Sequence, residues 1–168
     1  MVDAVIPAAQ AGEREFEALI GPLVEPGLRL AYSMLGSRAE AEDATQEAIT
    51  RAWRSLPSLR DHNLARPWFL AIVANQCRNT RRTYWFRTLR LSWLPSKSAE
   101  ELNTDRLDIE RALARLPMSD RQVLFMHYYL DLPVEEIAVA LGISRSAAKG
   151  RIYRACHRLR PSLLEEDI

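Results

Sequence analysis

The segment that most constrains this chain is 133–159, where two short amphipathic helices are predicted on either side of a glycine. Apolar residues of the first helix repeat at i, i+3, i+4 and i+7, namely Val134, Ile137, Ala138 and Leu141. Pro133 suits its start, Gly142 can end it because it tolerates positive φ, and Ser144 can cap the next helix. The second apolar stripe is Ala148, Ile152, Ala155 and Leu159. The pattern predicts a helix-turn-helix.

The outward face of the second helix carries small, polar and basic residues. At about 100° per residue, this face is centred on Ser146, Gly150, Tyr153, Arg154 and His157, with Arg145, Lys149 and Arg151 at its edges. A basic helix after a glycine turn is typical of recognition helices that enter the DNA major groove. The alternative is a helical hairpin whose basic face is only solvated, which does not require the turn, the cap and the charge together.

The composition excludes several classes of protein. Among 168 residues, 48% are apolar and only 6 are glycine, so a packed core without a large sheet is expected. No apolar run approaches the roughly 18 residues of a membrane span, and the N-terminus lacks the pattern of a secretory signal. Cys77, Cys156 and the 3 histidines lack metal-ligand spacing, which favours free thiols in a reducing cytoplasm. Acidic residues are spread along helix faces, so we expect no metal, no cofactor and no enzyme.

Charge is segregated along the chain, although the net charge is only +1. The formal charge is −6 for residues 1–47, +9 for 48–97, −5 for 98–137 and +3 for 138–168. Each acidic block therefore precedes a basic block. This order indicates two modules, each with a basic part facing DNA and an acidic part facing solvent or a protein partner.

The N-terminal half contains three predicted helices. The first spans 13–35, where Pro22 and Pro26 could bend or interrupt it, and Gly36 ends it. The second, at 41–56, keeps its apolar stripe without a miss from Ala41 to Leu56. Its other face is polar, and periodicity alone indicates a solvated surface. A polar connector at 57–66 leads to the third helix.

The third helix, beginning at Pro67, has Trp68, Phe69, Ile72 and Val73 on its buried side. Further along, five arginines of the segment 78–90 are interleaved with three aromatic residues and no acidic residue. Arginines beside exposed aromatics suit single-stranded nucleic acid, because phosphates need charge and unstacked bases need flat surfaces. Alternatively, the aromatics belong to the core and the arginines to an ordinary surface.

Beyond this helix, 92–105 is a candidate linker. Two further helices are predicted at 109–116 and 120–130. The apolar stripe of the second contains Val123, Leu124, His127 and Tyr128.

Two blocks of the sequence together resemble bacterial extracytoplasmic-function (ECF) sigma factors. The first contains A-E-D-x-x-Q-E at 41–47 and R-A-W at 51–53, followed by RPWFLAIVANQCRNTRR. The second contains L-P-x-x-x-R-x-V-L-F at 116–125, then E-E-I-A, L-G-I-S and K-x-R within the helix-turn-helix. The resemblance covers roughly 13–160, and the order and spacing of the motifs make it specific.

The resemblance implies an all-α protein with two small helical domains joined by a linker. The implied boundaries are a tail at 1–12, sigma region 2 at 13–86, a linker at 87–104, sigma region 4 at 105–162 and a tail at 163–168. Region 2 would bind core RNA polymerase and the −10 element, and region 4 the −35 element. Such a cytoplasmic protein would confer promoter specificity and promote −10 melting, and an anti-sigma factor would hold it when it is free; no membrane contact of its own is implied.

The resemblance also implies three sets of site residues. Polymerase-binding residues would be Asp43, Gln46, Glu47, Arg51 and Arg54. Residues for the −10 DNA would be Arg60, Asp61, His62, Asn63, Trp68, Asn75, Arg78, Arg81 and Arg82. Residues for the −35 DNA would be Ser144, Arg145, Ser146, Ala147, Lys149, Gly150, Arg151 and Arg154.

Two departures from the family pattern and two rival functions stay open at this point. Ala148 and Gly150 stand where the family often has Val and Ser, so the −35 element could be atypical. The linker is less acidic than a segment that mimics nucleic acid in the polymerase channel. The rivals are a dimeric helix-turn-helix regulator of duplex DNA, which gives the N-terminal block no role, and a sigma-like decoy that titrates an anti-sigma factor.

Overall fold

The computed structural model describes residues 8–90 and 112–164, and every regular element within these two ranges is helical. The first range contains α1 (Ala8–Leu35), α2 (Arg38–Ser55), two short 3-10 turns (Leu56–Ser58 and His62–Leu64) and α3 (Ala65–Arg90). The second contains a helical turn at 112–115, α4 (Met118–Leu124), a π-helical turn (Phe125–Tyr129), α5 (Val134–Leu141) and α6 (Arg145–Leu164). The all-α prediction is confirmed. The predicted linker at 92–105 lies outside the described residues.

The N-terminal domain is a three-helix unit in which α1, α2 and α3 all pack against one another. Alanines at 41, 44, 48 and 52 form the buried stripe of α2, as the periodicity predicted, and their small size lets the helix lie close to its neighbours. Gly27 of α1 is buried against α3, because a Cβ added there would lie 2.9 Å from Cε1 of Phe69. The helix α1 continues through Pro22 and Pro26, so the prolines do not interrupt it.

The C-terminal domain confirms the helix-turn-helix. Gly142 ends α5 with a φ of +63°, in the left-handed region that favours glycine. The N–H of Ile143 donates to the carbonyl of Ala138 at 3.0 Å, which satisfies a free carbonyl at the helix end. The N–H of Ala147 then donates to Oγ of Ser144 at 3.2 Å, so Ser144 caps α6 as predicted.

The predicted helix at 120–130 is present, but its second half is π-helical and the apolar stripe predicted there is wrong. The helix α4 ends at Leu124 and continues as a π-helical turn, in which the N–H of Leu130 donates to the carbonyl of Phe125 at 3.0 Å. The wider turn changes the register of the side chains that follow. Tyr128, predicted in the apolar stripe, is therefore 65% exposed, whereas Met126 and Leu130 are buried.

Trp53 is a second departure from the predicted stripes. It is 45% exposed at the edge of the α2 stripe, and its ring meets the ring of Phe16 edge-on with centroids 5.1 Å apart. An edge-to-face aromatic pair of this kind stabilises the α1–α2 contact without full burial.

The two domains pack directly against each other. The helix α3 contacts α5, while α1 contacts α4 and the π-helical turn. Buried apolar side chains of both domains form one continuous cluster, in which Phe69 and Met34 belong to the first domain and Met126 and Ile137 to the second. The sequence predicted two modules but gave no indication of this contact.

Candidate nucleic-acid interface

The outward face of α6 is polar and exposed, as the helical periodicity predicted. The exposed residues of the predicted −35 set are Ser144, Arg145, Ser146, Ala147, Lys149 and Arg154. Tyr153 is 72% exposed on the same face. The periodicity placed Tyr153 on this face, but the predicted −35 residues omitted it.

Two local features shape this face. Nε of Arg145 lies 2.7 Å from a carboxylate oxygen of Glu135, which ties the start of α6 to α5. Gly150 leaves space beside Arg154, because a Cβ there would lie 3.3 Å from Nη1 of Arg154. The missing side chain therefore lets the Arg154 guanidinium lie back along the helix. Arg151, at the edge of the face, is half-buried and therefore less exposed than Lys149 and Arg154.

A second candidate surface is the outward face of α2. Asp43, Gln46, Glu47, Arg51 and Arg54 are all exposed there. Nε of Arg51 lies 3.2 Å from a carboxylate oxygen of Glu47, one helical turn away. Asp43, Gln46 and Glu47 line a shallow, open depression of about 430 Å³ together with Ile49 and Thr50. The face is thus charged and exposed.

The loop at 60–63 is exposed and internally hydrogen-bonded. Oδ1 of Asp61 accepts from both the backbone N–H and the side-chain amide of Asn63, each at 3.0 Å. Nε2 of His62 lies 3.7 Å from a carboxylate oxygen of Glu15 on α1. Because Asp61 fixes the start of the short turn that follows, the polar edges of His62 and Asn63 are presented from an ordered backbone.

The later turns of α3, from Asn75 onward, carry the next polar residues. Asn75, Arg81 and Arg82 are exposed, and Arg78 is half-buried. A guanidinium nitrogen of Arg78 donates to the side-chain oxygen of Asn75, and the other donates to Oε1 of Gln122 at 3.1 Å. Burial lowers the pKa of Arg78, and the nearby positive charge of Arg151 lowers it further.

Trp68 and the last turns of α3 complete the predicted −10 residues. Trp68 is half-buried and packs against the apolar cluster, in agreement with its place on the buried side of the helix. The aromatic and arginine side chains predicted at 84–90 lie outside the residues whose side chains the structure describes. The loop and the later turns of α3 thus carry the exposed polar residues of this predicted set on the N-terminal domain.

Two further observations concern the described ranges as a whole. Within the described ranges, no three histidine, cysteine or carboxylate side chains come together in a group that could hold a metal ion. Among the helices of the same ranges, none is long and apolar enough to cross a membrane.

The structure joins a helix-turn-helix with a basic outward helix to a three-helix domain with a charged face and a polar loop, and both parts match families of the sigma-70 class. Residues 21–87 match the family described as Sigma-70 region 2. Residues 106–159 match the family described as Sigma-70, region 4.

Curated relatives narrow the class to one family. The ECF RNA polymerase sigma factor SigL of Mycobacterium tuberculosis is 34% identical over 145 residues, which cover 82% of each chain. The RNA polymerase sigma factor SigV of Bacillus subtilis is 29% identical over 144 residues, covering 83% of this chain and 86% of SigV. The chain belongs to the ECF sigma factors, which are non-enzymatic transcription initiation factors.

Solved structures support the same fold. CnrH, solved in complex with the cytosolic domain of CnrY, is 26% identical with a TM-score of 0.68, and the match covers 96% of each chain. The sigma factor RpoE from Bartonella quintana, solved with the anti-sigma factor NepR, has a TM-score of 0.77 at 21% identity, covering 92% of this chain and 99% of RpoE. The latter likeness concerns the fold alone.

Proposed function

We propose that this sigma factor divides promoter recognition among three surfaces. The outward face of α2 binds core RNA polymerase, through the clamp helices of its largest subunit. The loop at 60–63 and the outward face of α3 bind the −10 element as a single strand. The outward face of α6 enters the major groove of the −35 element.

The observation that supports this division is the different chemistry of the three exposed surfaces. The α2 face mixes Asp43 and Glu47 with arginines, and a mixed charge pattern suits a protein partner better than a polyanion. The loop carries the polar edges of His62 and Asn63, which can hydrogen-bond to a base. The α6 face is basic, which suits duplex DNA.

Promoter opening at the −10 element follows from the loop and α3. An extruded base that is held by stacking and hydrogen bonds offsets the cost of unpairing, so melting needs no ATP hydrolysis. The ordered turn made by Asp61 and Asn63 holds the loop ready for such a base. Arg81 and Arg82, exposed on α3, bind the adjacent phosphates.

Recognition of the −35 element separates base contacts from phosphate contacts. The planar guanidinium of Arg154 can donate two hydrogen bonds to a guanine edge, while Lys149 is better suited to a phosphate. The ring of Tyr153 is 72% exposed between them and can contact a thymine methyl group. Gly150 lets the backbone of α6 approach the groove closely.

Run-off transcription tests the function directly. Purified bacterial core polymerase is incubated with a genomic promoter pool, with and without the protein. We expect discrete new transcripts that share upstream elements, and these elements would also define the promoter. Absence of transcripts, together with no binding to core polymerase in a pull-down, would contradict the proposed function.

The two rival functions predict different results in the same assays. A dimeric regulator of duplex DNA would bind DNA without polymerase and would self-associate. A decoy would bind an anti-sigma factor but yield no transcripts, and it would not need the basic residues Arg82, Lys149 and Arg154, all of which are present and exposed. We expect the protein to act in the cytoplasm and to be held by an anti-sigma factor when it is not in use.

A further inference from the structure

An ion pair between the two helices of the helix-turn-helix borders the proposed −35 surface. Nε of Arg145, the first residue of α6, lies 2.7 Å from Oε1 of Glu135, the second residue of α5. The sequence pattern did not single out Glu135, because acidic side chains are common in the first turn of a helix, where they interact with its dipole. The pair connects Glu135 to an arginine of the predicted −35 set.

Both side chains of the pair start from an ordered backbone. Oγ of Ser144 accepts the N–H of Ala147 at 3.2 Å, which fixes the first turn of α6. The N–H of Ile137 donates to the carbonyl of Pro133 at 3.0 Å, which fixes the first turn of α5. The two helices also pack against each other. The fold therefore sets the positions of the two α-carbons, and the ion pair restrains only the side chains.

The ion pair contributes little to the stability of the fold. The side chain of Arg145 is 76% exposed and that of Glu135 is 55% exposed. Exposed ion pairs are weak, because water and salt screen the charges and because two long side chains lose conformational freedom. A conservative substitution of Glu135 should therefore leave the domain folded, so that its effect on DNA binding can be measured.

The geometry of the pair leaves one edge of the guanidinium facing away from the carboxylate. A guanidinium carries five N–H donors in one plane, one on Nε and four on the two Nη atoms. Glu135 contacts the Nε of Arg145. The edge formed by the two Nη atoms matches the O6 and N7 acceptors of guanine in the major groove. One arginine can thus bind the carboxylate and a guanine at the same time.

Arg145 also lies at the end of α6 that is best placed to contact bases. In helix-turn-helix proteins the N-terminal residues of the second helix contact base edges, while the first helix crosses the DNA backbone. Arg154 lies further along α6, roughly 13 Å from Arg145 at about 1.5 Å per residue. Because base pairs are about 3.4 Å apart, the two arginines reach different base pairs.

The charge of Glu135 offsets the charge of Arg145. An unpaired arginine binds phosphates of any sequence, because counterion release favours that contact at every position. A carboxylate beside the groove opposes such binding, because it repels phosphates. The pair as a whole is formally neutral, so it gains little from the DNA backbone.

We propose that Glu135 is a positioning residue for −35 recognition, which holds Arg145 so that this arginine contacts one guanine instead of the phosphates. The inference rests on the proposed function, since that function places α6 in the −35 major groove. Restraint of a long side chain before binding reduces the entropy that is lost on binding. Repulsion of phosphates lowers the affinity for wrong sequences. Both effects raise the specificity of binding more than its affinity.

Three variants and one control separate these effects. Glu135→Gln keeps the size of the side chain and removes its charge. Arg145→Ala removes the side chain that contacts the base, and the double variant tests whether Glu135 acts through Arg145. Asp131→Asn is the matched control, because Asp131 is exposed before α5 and asparagine tolerates its φ of +50°.

Selection from a random duplex library measures base preference in the full-length chain, both alone and bound to core polymerase. Competition binding to the enriched duplex, with each base pair replaced in turn, then gives the preference at every position. Arg145→Ala should abolish the preference for guanine at one position. Glu135→Gln should reduce the preference at the same position by about threefold to tenfold, because the arginine is no longer restrained. Asp131→Asn should leave this preference unchanged.

The affinity for mismatched duplexes should change in the opposite direction. It should rise in Glu135→Gln, and the slope of log affinity against log salt should steepen by up to about 1, because Arg145 can then bind a phosphate. A purely structural role of Glu135 would instead lower the affinity for all duplexes. The double variant should match Arg145→Ala in its base preference. Circular dichroism checks the helix content of every variant.

The outcomes separate this inference from the proposed function. Full base preference in Glu135→Gln, or a uniform loss of affinity in Arg145→Ala, would overturn the inference. A change of preference caused by Glu135→Gln in the Arg145→Ala background would also overturn it, as would the absence of any enriched duplex. In that last case, transcripts in the run-off assay would still support the sigma function. The expected responses in a chain that yields no transcripts would support the role of Glu135 and contradict the sigma function.

Discussion

Arg78 of α3 donates a hydrogen bond to Gln122 of α4 at 3.1 Å, across the boundary between the two domains. The same guanidinium donates to Asn75 on its own helix. Gln122 is buried, so the acceptor is shielded from water and competes effectively for the arginine. A side chain that the family resemblance assigns to DNA is thus engaged inside the protein.

Replacement of Arg154 by alanine should weaken −35 binding by about 1–3 kcal/mol and relax specificity at one base pair, because a bidentate base contact is lost. Lys149→Ala should instead weaken binding to all sequences alike and reduce the salt dependence. Competition binding to a panel of −35 duplexes distinguishes the two. A uniform loss in Arg154→Ala would assign that arginine to a phosphate.

Charge reversal on α2 should separate polymerase binding from DNA binding. Asp43→Lys or Glu47→Lys should reduce affinity for core polymerase and leave the affinity for −35 duplex unchanged. Glu17→Lys, at an exposed position of α1, controls for the change in net charge. Pull-down and fluorescence anisotropy measure the two affinities. A drop in both would contradict the assignment of separate surfaces.

Alanine at Gly27 should destabilise the N-terminal domain by about 1–3 kcal/mol. The added Cβ would lie 2.9 Å from Cε1 of Phe69 and 3.3 Å from Cγ2 of Val73, so α1 and α3 would have to move apart. Gly21→Ala is the matched control, because its Cβ would meet only Cγ of Glu17 at 3.9 Å. There the higher helix propensity of alanine should raise stability by up to about 1 kcal/mol. Urea unfolding measures both.

The buried thiol of Cys77 should make stability fall at alkaline pH. Burial raises its pKa to about 12 in the folded chain, whereas an unfolded thiol ionises near pH 8.5. Between these values only the folded state keeps the proton, so the free energy of unfolding should decrease by about 1.4 kcal/mol per pH unit. Urea unfolding at pH 8 to 10.5 should show this extra slope in the parent relative to Cys77→Ala. Equal slopes would show that the thiol ionises in the folded chain.

The loop at 60–63 should depend on the side-chain oxygen of residue 61. Asp61→Ala removes the acceptor of both Asn63 bonds and should reduce open-complex formation while polymerase binding is retained. Asp61→Asn keeps an acceptor for the turn and should retain most of the activity. Permanganate reactivity of −10 thymines measures the opening. Equal losses in both variants would indicate that the carboxylate itself contacts DNA.

Features set by local periodicity and by turn chemistry could be predicted from the sequence. The alanine stripe of α2, the left-handed Gly142 and the Ser144 cap each depend on a few neighbouring residues. The exposed face of α6 followed from the same reasoning. Its polar residues, including Tyr153, were placed outward by the 100° period alone.

Features that depend on tertiary context could not be predicted. The π-helical turn, which has about one more residue than an α-helical turn, places Tyr128 at the surface. The spacing of apolar residues in the sequence does not indicate where such a turn occurs. The burial of Gln122 and the contact of Arg121 with Met34 depend on a neighbouring domain, where Arg78 lies 44 positions from Gln122 and Met34 lies 87 positions from Arg121. From the sequence alone, an arginine at 121 and a glutamine at 122 are expected at the surface.

The close packing of Gly27 against Phe69 bears on where the DNA strands would separate relative to bound polymerase. Because α1 packs against both α2 and α3, the proposed polymerase-binding face and the proposed base-binding loop belong to one three-helix domain. Under the proposed function, the packing of these three helices fixes the distance between the bound polymerase and the first unpaired base.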